Sequence, residues 1–134
     1  MKEYFDELIK LAIKAGRKGE VPVAALLVIN NKIVSRAFNT RHCDGNPLNH
    51  AEVKCILNAT KKLGDWRLDE CDLYVTLEPC DMCKKIIEES RIKNVYYMVH
   101  NVKRVNRKTS YQQIITDINE QYSNLLTSFF KNKR

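Results

Sequence analysis

Long apolar runs are missing from this chain: no stretch of its 134 residues approaches the roughly 20 that a membrane-spanning helix needs. A secretory leader is not expected either, because MKEYFDELIKLAIKAG sets acids inside an amphipathic pattern, unlike a signal peptide. Together these absences lead to the expectation of a soluble, cytoplasmic protein. Glycine and proline are sparse, at 4 and 3 residues, and we find no internal repeat, linker or low-complexity segment. With 44% apolar residues, the chain reads as one domain over 1–134 with its own core. The five cysteines are an odd number without a leader, which weakens a disulfide framework and favours metal-binding or catalytic thiols.

Acidic residues run short in one half only. Residues 1–83 hold 12 Lys/Arg against 12 Asp/Glu, whereas residues 84–134 hold 11 against 4, so the whole +7 excess falls in the last 51 residues. Lys103, Arg104, Arg107 and Lys108, with Lys131, Lys133 and Arg134 at the end, form either a footprint for a phosphate backbone or a solvated basic face.

What the chain does have is periodicity. Tyr4, Phe5, Leu8, Ile9, Ala12 and Ile13 recur at helical spacing over 2–15, with Gly16 expected to close the helix. VAALLVI at 23–29 suits a strand buried on both faces, and Asn30-Asn31 suits a hairpin turn into KIVSRAF at 32–38. Asn49 is expected to cap a helix reaching Leu63, with Gly64 just past its end. LYVTL at 73–77 reads as a strand, Pro79 as the first turn of a helix through Ser90, and NVYYMV at 94–99 as a further strand. QQIITDI at 112–118 is expected to add a fifth strand before a last helix at 119–132 striped by Tyr122, Leu125, Leu126, Phe129 and Phe130. Strand, helix, strand in this order predicts right-handed crossovers and parallel pairing. The fold class is α/β: a three-layer α/β/α sandwich around a mixed five-stranded sheet.

Two short stretches carry the chemistry. In EPCDMC at 78–83, Cys80 and Cys83 stand at i and i+3 at a helix start, where both sulfurs share a face and the positive end of the helix dipole favours thiolates. In NHAEVKC at 49–55, His50 holds the equivalent place at the start of the preceding helix. Three ligands of types N, S and S with the fourth position open make a catalytic zinc site, whereas structural zinc sites are closed. Cys43, in the loop before His50, stays open as a fourth ligand. Cys55 falls about 140° around the helix from His50 and reads as a buried small hydrophobe, and Cys71 as a plain thiol. Ligand type narrows the metal to zinc or iron. Glu52 is badly placed to bind the same ion but can reach a water in the open position, which suits a proton shuttle; by itself it would be a first-turn acid complementing the helix dipole.

H-x-E at 50–52 followed by P-C-x-x-C at 79–83 resembles the motif pair of the zinc-dependent cytidine and deoxycytidylate deaminase superfamily. The likeness extends to the bacterial tRNA-specific adenosine deaminases through GEVPVAALLV at 19–28, LYVTLEPC at 73–80, SRI at 90–92 and ITDINEQYSNLLTSFFKNKR at 115–134. It implies the cytidine deaminase-like fold and one zinc ion per subunit, held by His50, Cys80 and Cys83. It also implies Glu52 as the shuttle that helps zinc-activated water attack C6 of a wobble adenosine, releasing ammonia and leaving inosine. By the same resemblance Asn39 contacts the substrate nucleoside, Val21, Pro22 and Val23 line the pocket, and Phe129 and Phe130 lie near the flipped nucleotide. The implied partners are the anticodon loop of a tRNA and a second copy in a homodimer; neither DNA nor a membrane is expected. The chain departs from the family pattern at Pro47-Leu48-Asn49, at Ala24, and in the short segment after residue 99. Two other readings remain: a deaminase of a free base or nucleotide such as cytosine, guanine or dCMP, and a zinc-stabilised RNA-binding module without catalysis.

Overall fold

The computed structural model describes residues 2–101, 109–113 and 118–131. Contacts divide the chain into two compact units, Met1–Lys103 and Arg104–Arg134. In the first, the elements run α1 (Lys2–Arg17), β1 (Ala24–Ile29), β2 (Lys32–Phe38), α2 (Arg41–Asp44), α3 (Ala51–Leu63), β3 (Asp72–Leu77), α4 (Asp81–Glu89) and β4 (Asn94–Val99).

The sheet order is β2-β1-β3-β4. β1 pairs antiparallel with both β2 and β3, and β3 pairs parallel with β4, so the sheet is mixed. Parallel pairing thus holds directly for β3 and β4, while the crossover through α3 joins two like-directed strands with β1 between them. β1 is the spine because its side chains are apolar on both faces. Ala25 and Leu27 pack with Ala51, Cys55, Ile56 and Ala59 of α3 and Ile87 of α4. Ala24, Leu26 and Val28 pack with Leu8 and Ala12 of α1 and with Tyr74. The result is the expected three layers, helix, sheet and helices. Leu26 and Leu27 are fully buried, each stabilising the fold by about 1.5–3 kcal/mol relative to exposure.

Local chemistry sets the element ends, and here the sequence reading needs correction. Gly16 does not close α1, which continues to Arg17; the left-handed residue is Gly19, at φ 79°. The hairpin turn is as expected, with Asn30 and Asn31 at φ 49° and 62°, the geometry whose twist matches paired strands. The cap of α3 is His50, not Asn49, because the Asn49 amide instead donates to the Asp44 carboxylate at 2.8 Å. Gly64 ends α3 at φ 68°, its N–H on the Thr60 carbonyl. Pro79 precedes α4 rather than entering its first turn, since Cys80 keeps extended dihedrals and serves as the cap. The four-residue α2 has no counterpart in the sequence reading.

In the second unit, α5 runs Ile118–Lys131, and the Phe129 and Phe130 rings meet edge to face at 5.4 Å. The expected fifth strand at 112–118 lies largely outside the described residues, as do Lys103, Arg104, Arg107, Lys108, Lys133 and Arg134; the sheet described has four strands. No helix among the described residues is long and apolar enough to cross a membrane.

Candidate active site and metal centre

The starts of α3 and α4 lie at the same end of the sheet, and each opens with a candidate ligand. His50 (φ −71°, ψ 152°) and Cys80 (φ −69°, ψ 170°) are both extended cap residues whose side chains make no capping hydrogen bond, so both remain available to a metal. The Cys80 and Cys83 sulfurs stand 3.7 and 3.5 Å from His50 Nδ1. All three ligand atoms fall within 4.8 Å of one another. The donor set is the N, S, S combination suited to zinc with one position left open.

Glu52, in the first turn of α3, is buried, and its Oε1 is buried without a hydrogen-bond partner among the described residues. Such an atom calls for an explanation, and a water held between it and a bound metal supplies one. Burial pushes the Glu52 carboxyl up to about 7, and the negative charge on Cys80 adds to the effect. Cys80 is held down to about 5, first because Cys83 donates to its sulfur and further by neighbouring backbone N–H groups and His50, while burial opposes; the Cys83 thiol is pushed up by the same bond.

The other cysteines stand apart. Cys55 is buried, its thiol directed at the Ser35 carbonyl, as its place on the helix suggested. Cys43 is exposed, its sulfur directed at the Lys18 carbonyl, and it is not part of the ligand cluster.

Asn39 follows β2 and is buried; its N–H donates to the Val23 carbonyl, and its Oδ1 accepts from the Arg41 N–H at 3.1 Å. This bond brings Asn39 beside the 21–23 segment, where Val21 and Pro22 are exposed and Val23 half-buried. Phe129 and Phe130 belong to the second unit.

Several residues that organise this end of the sheet escaped the sequence reading. Buried Glu20 accepts the N–H groups of His42 and Cys43 at 3.0 and 2.7 Å, tying the 18–23 turn to the loop that leads to His50. The Cys43 thiol first, and then those backbone bonds, hold its carboxyl below the usual range. Within the loop, Asp44 Oδ2 accepts from Thr40 Oγ1 at 2.6 Å and from Asn49, and Lys54 Nζ donates to Thr40 Oγ1. Glu78 Oε1 accepts the Asn101 N–H while Oε2 meets Lys84, joining the turn before Cys80 to the end of β4. The Glu20, Lys54 and Asn101 bonds join residues 14 or more positions apart, for which local pattern carries little signal.

Known proteins share this fold and much of this sequence. The family model for the cytidine and deoxycytidylate deaminase zinc-binding region matches residues 1–99. The tRNA-specific adenosine deaminase of Bacillus subtilis (strain 168) is 37% identical over 143 residues, covering 98% of this chain and 89% of that protein. A solved structure from work on A-to-I editing by tRNA:A34 deaminases at the wobble position of transfer RNA superposes with a TM-score of 0.74 at 36% identity, over 75% of this chain and 73% of the other. The guanine deaminase of Bacillus subtilis gives a TM-score of 0.83 at 24% identity over 95% and 93% of the two chains, a likeness of fold. The chain belongs to the cytidine and deoxycytidylate deaminase family, whose zinc-binding region it carries.

Proposed function

We propose that the protein is a tRNA-specific adenosine deaminase that converts the wobble adenosine to inosine, working in the cytoplasm as a homodimer of single-domain subunits. The observation that carries the chemistry is the buried Oε1 of Glu52, without a hydrogen-bond partner among the described residues, beside the candidate ligand atoms of His50, Cys80 and Cys83. The extensive identity with a tRNA-specific adenosine deaminase supports the substrate.

His50, Cys80 and Cys83 would hold the zinc, which would supply the Lewis acidity that makes water a better nucleophile near neutral pH. Glu52 does the proton work. Its carboxyl, raised to about 7, takes a proton from the attacking water and delivers it to the purine N1 as the water oxygen bonds to C6. A second proton passes to the amine, the C6–N bond breaks, ammonia leaves with the electron pair, and the C6 carbonyl of inosine remains. Asn39 binds the nucleoside beside a wall formed by Val21, Pro22 and Val23. The adenosine enters flipped out of its loop, because the reacting carbon must reach a buried carboxylate.

The test is ammonia release from zinc-loaded protein given an anticodon stem-loop with wobble adenosine, and in parallel free adenosine, cytosine, guanine and dCMP. Turnover confined to the stem-loop is the expected result. Turnover confined to a small base would overturn the tRNA reading while leaving the four site residues in their roles.

A further inference from the structure

Three ammonium groups converge on one aromatic ring beside the site. Lys14 Nζ from α1, Lys18 Nζ from the turn after it and Lys54 Nζ from α3 lie 5.6, 5.7 and 5.4 Å from the Phe38 ring centroid. They come from both helical layers, so one helix pattern cannot account for the gathering. The ring offsets part of their mutual repulsion, but among the described residues none of the three forms an ion pair. Two carboxylates in the neighbouring loop are engaged elsewhere: Glu20 accepts the His42 and Cys43 N–H groups, and Asp44 accepts Thr40 and Asn49, feeling the Lys54 charge without a direct ion pair. Phe38 directly precedes Asn39, and the Lys54 N–H donates to the His50 carbonyl one turn along α3. The cluster therefore adjoins the candidate nucleoside site.

We propose that Lys14, Lys18 and Lys54, assembled around Phe38, form a phosphate-binding subsite for the RNA backbone next to the reacting nucleotide. This rests on the RNA-editing reading and adds where the strand is gripped. A competing explanation is that Lys14 and Lys18 only complement the carboxyl end of the α1 dipole. It accounts neither for Lys54 nor for the shared ring.

The experiment compares stem-loop deamination and binding, across a salt series, in the wild type, in Lys14→Gln/Lys18→Gln/Lys54→Gln, and in Lys14→Gln/Lys18→Gln, which breaks no described hydrogen bond. A charge-matched control, Lys61→Gln/Lys62→Gln/Lys93→Gln, removes exposed lysines at the other end of α3 and before β4. We expect KM for RNA to rise about 10-fold in the triple variant at low salt, kcat to hold, and the salt slope to flatten by about 0.7 for each phosphate that is no longer neutralised. The control should change neither, and three Lys→Arg replacements should restore wild-type KM. An unchanged KM and slope in both cluster variants, or an equal loss in the control, would overturn the subsite while leaving RNA editing intact. Absence of RNA turnover in the wild type would instead overturn the RNA reading and the subsite with it.

Discussion

His50 Nδ1 and the Cys83 sulfur lie 3.5 Å apart although they are 33 positions apart in the chain. That closeness makes Cys83→Ala a direct test of the ligand set. The variant should purify with little zinc and no deaminase activity, as read by elemental analysis alongside ammonia release. Full zinc occupancy would show that the metal is held elsewhere.

Glu52→Gln keeps the shape of the side chain and removes the base. Zinc content and RNA affinity should stay at wild-type levels while kcat falls by about 10²–10⁴. A loss of less than about 10-fold in single-turnover assays would assign the proton transfer to another group.

Glu20 and Asp44 both have carboxyls held below their ordinary values by hydrogen bonds in the fold, Glu20 first by Cys43 and Asp44 first by Thr40. A carboxyl depressed in the folded state contributes stability that is present above its unfolded value and is lost as pH falls through the folded one. Glu20→Gln and Asp44→Asn should therefore lower Tm at pH 7, and the deficit should shrink below about pH 4. A deficit that grew on acidification would contradict these bonds.

Thiol labelling should sort the cysteines. Cys43 is exposed, but the bond to Glu20 raises its pKa, so it should react slowly at pH 7 and faster in Glu20→Gln. Cys55 is buried with its thiol pushed up to about 12, and should resist until unfolding. Removing zinc with a chelator should add Cys80 to the reactive set, since its thiol sits near 5 without the ion. Mass spectrometry of peptides labelled before and after chelation reads all three.

Ser35 Oγ donates to the Cys55 carbonyl at 2.7 Å, joining β2 to α3 beneath the site. Ser35→Ala should cost about 1 kcal/mol in denaturant unfolding and leave kcat unchanged.

The sequence disclosed most where a residue's role depends on its own neighbours. The buried strand 24–29, the Asn30-Asn31 turn and the Gly64 stop follow from local pattern, and HAE with PCDMC pointed to the candidate ligands and their helix-start setting. Contacts made by folding were less legible. Nothing in GEV shows that Glu20 will accept two N–H groups from residues 42 and 43, and nothing in AEVK shows that Lys54 will meet two lysines of another layer over Phe38. Asn49 misled for the same reason: a good capping residue by type, it was drawn to Asp44 by a loop closure that only the fold creates.

His50 and Cys80 are each the residue at which a helix begins, and they stand 30 positions apart. A zinc ion bound to both would thus be a cross-link as well as a cofactor. Because the unfolded chain offers no preformed site, the free energy of binding such an ion would add to the stability of the fold. Such an ion would fasten the first turns of α3 and α4 to each other. Stripping it should raise amide hydrogen exchange first at 51–54 and 81–84, at the two helix starts, while the β1 spine stays protected.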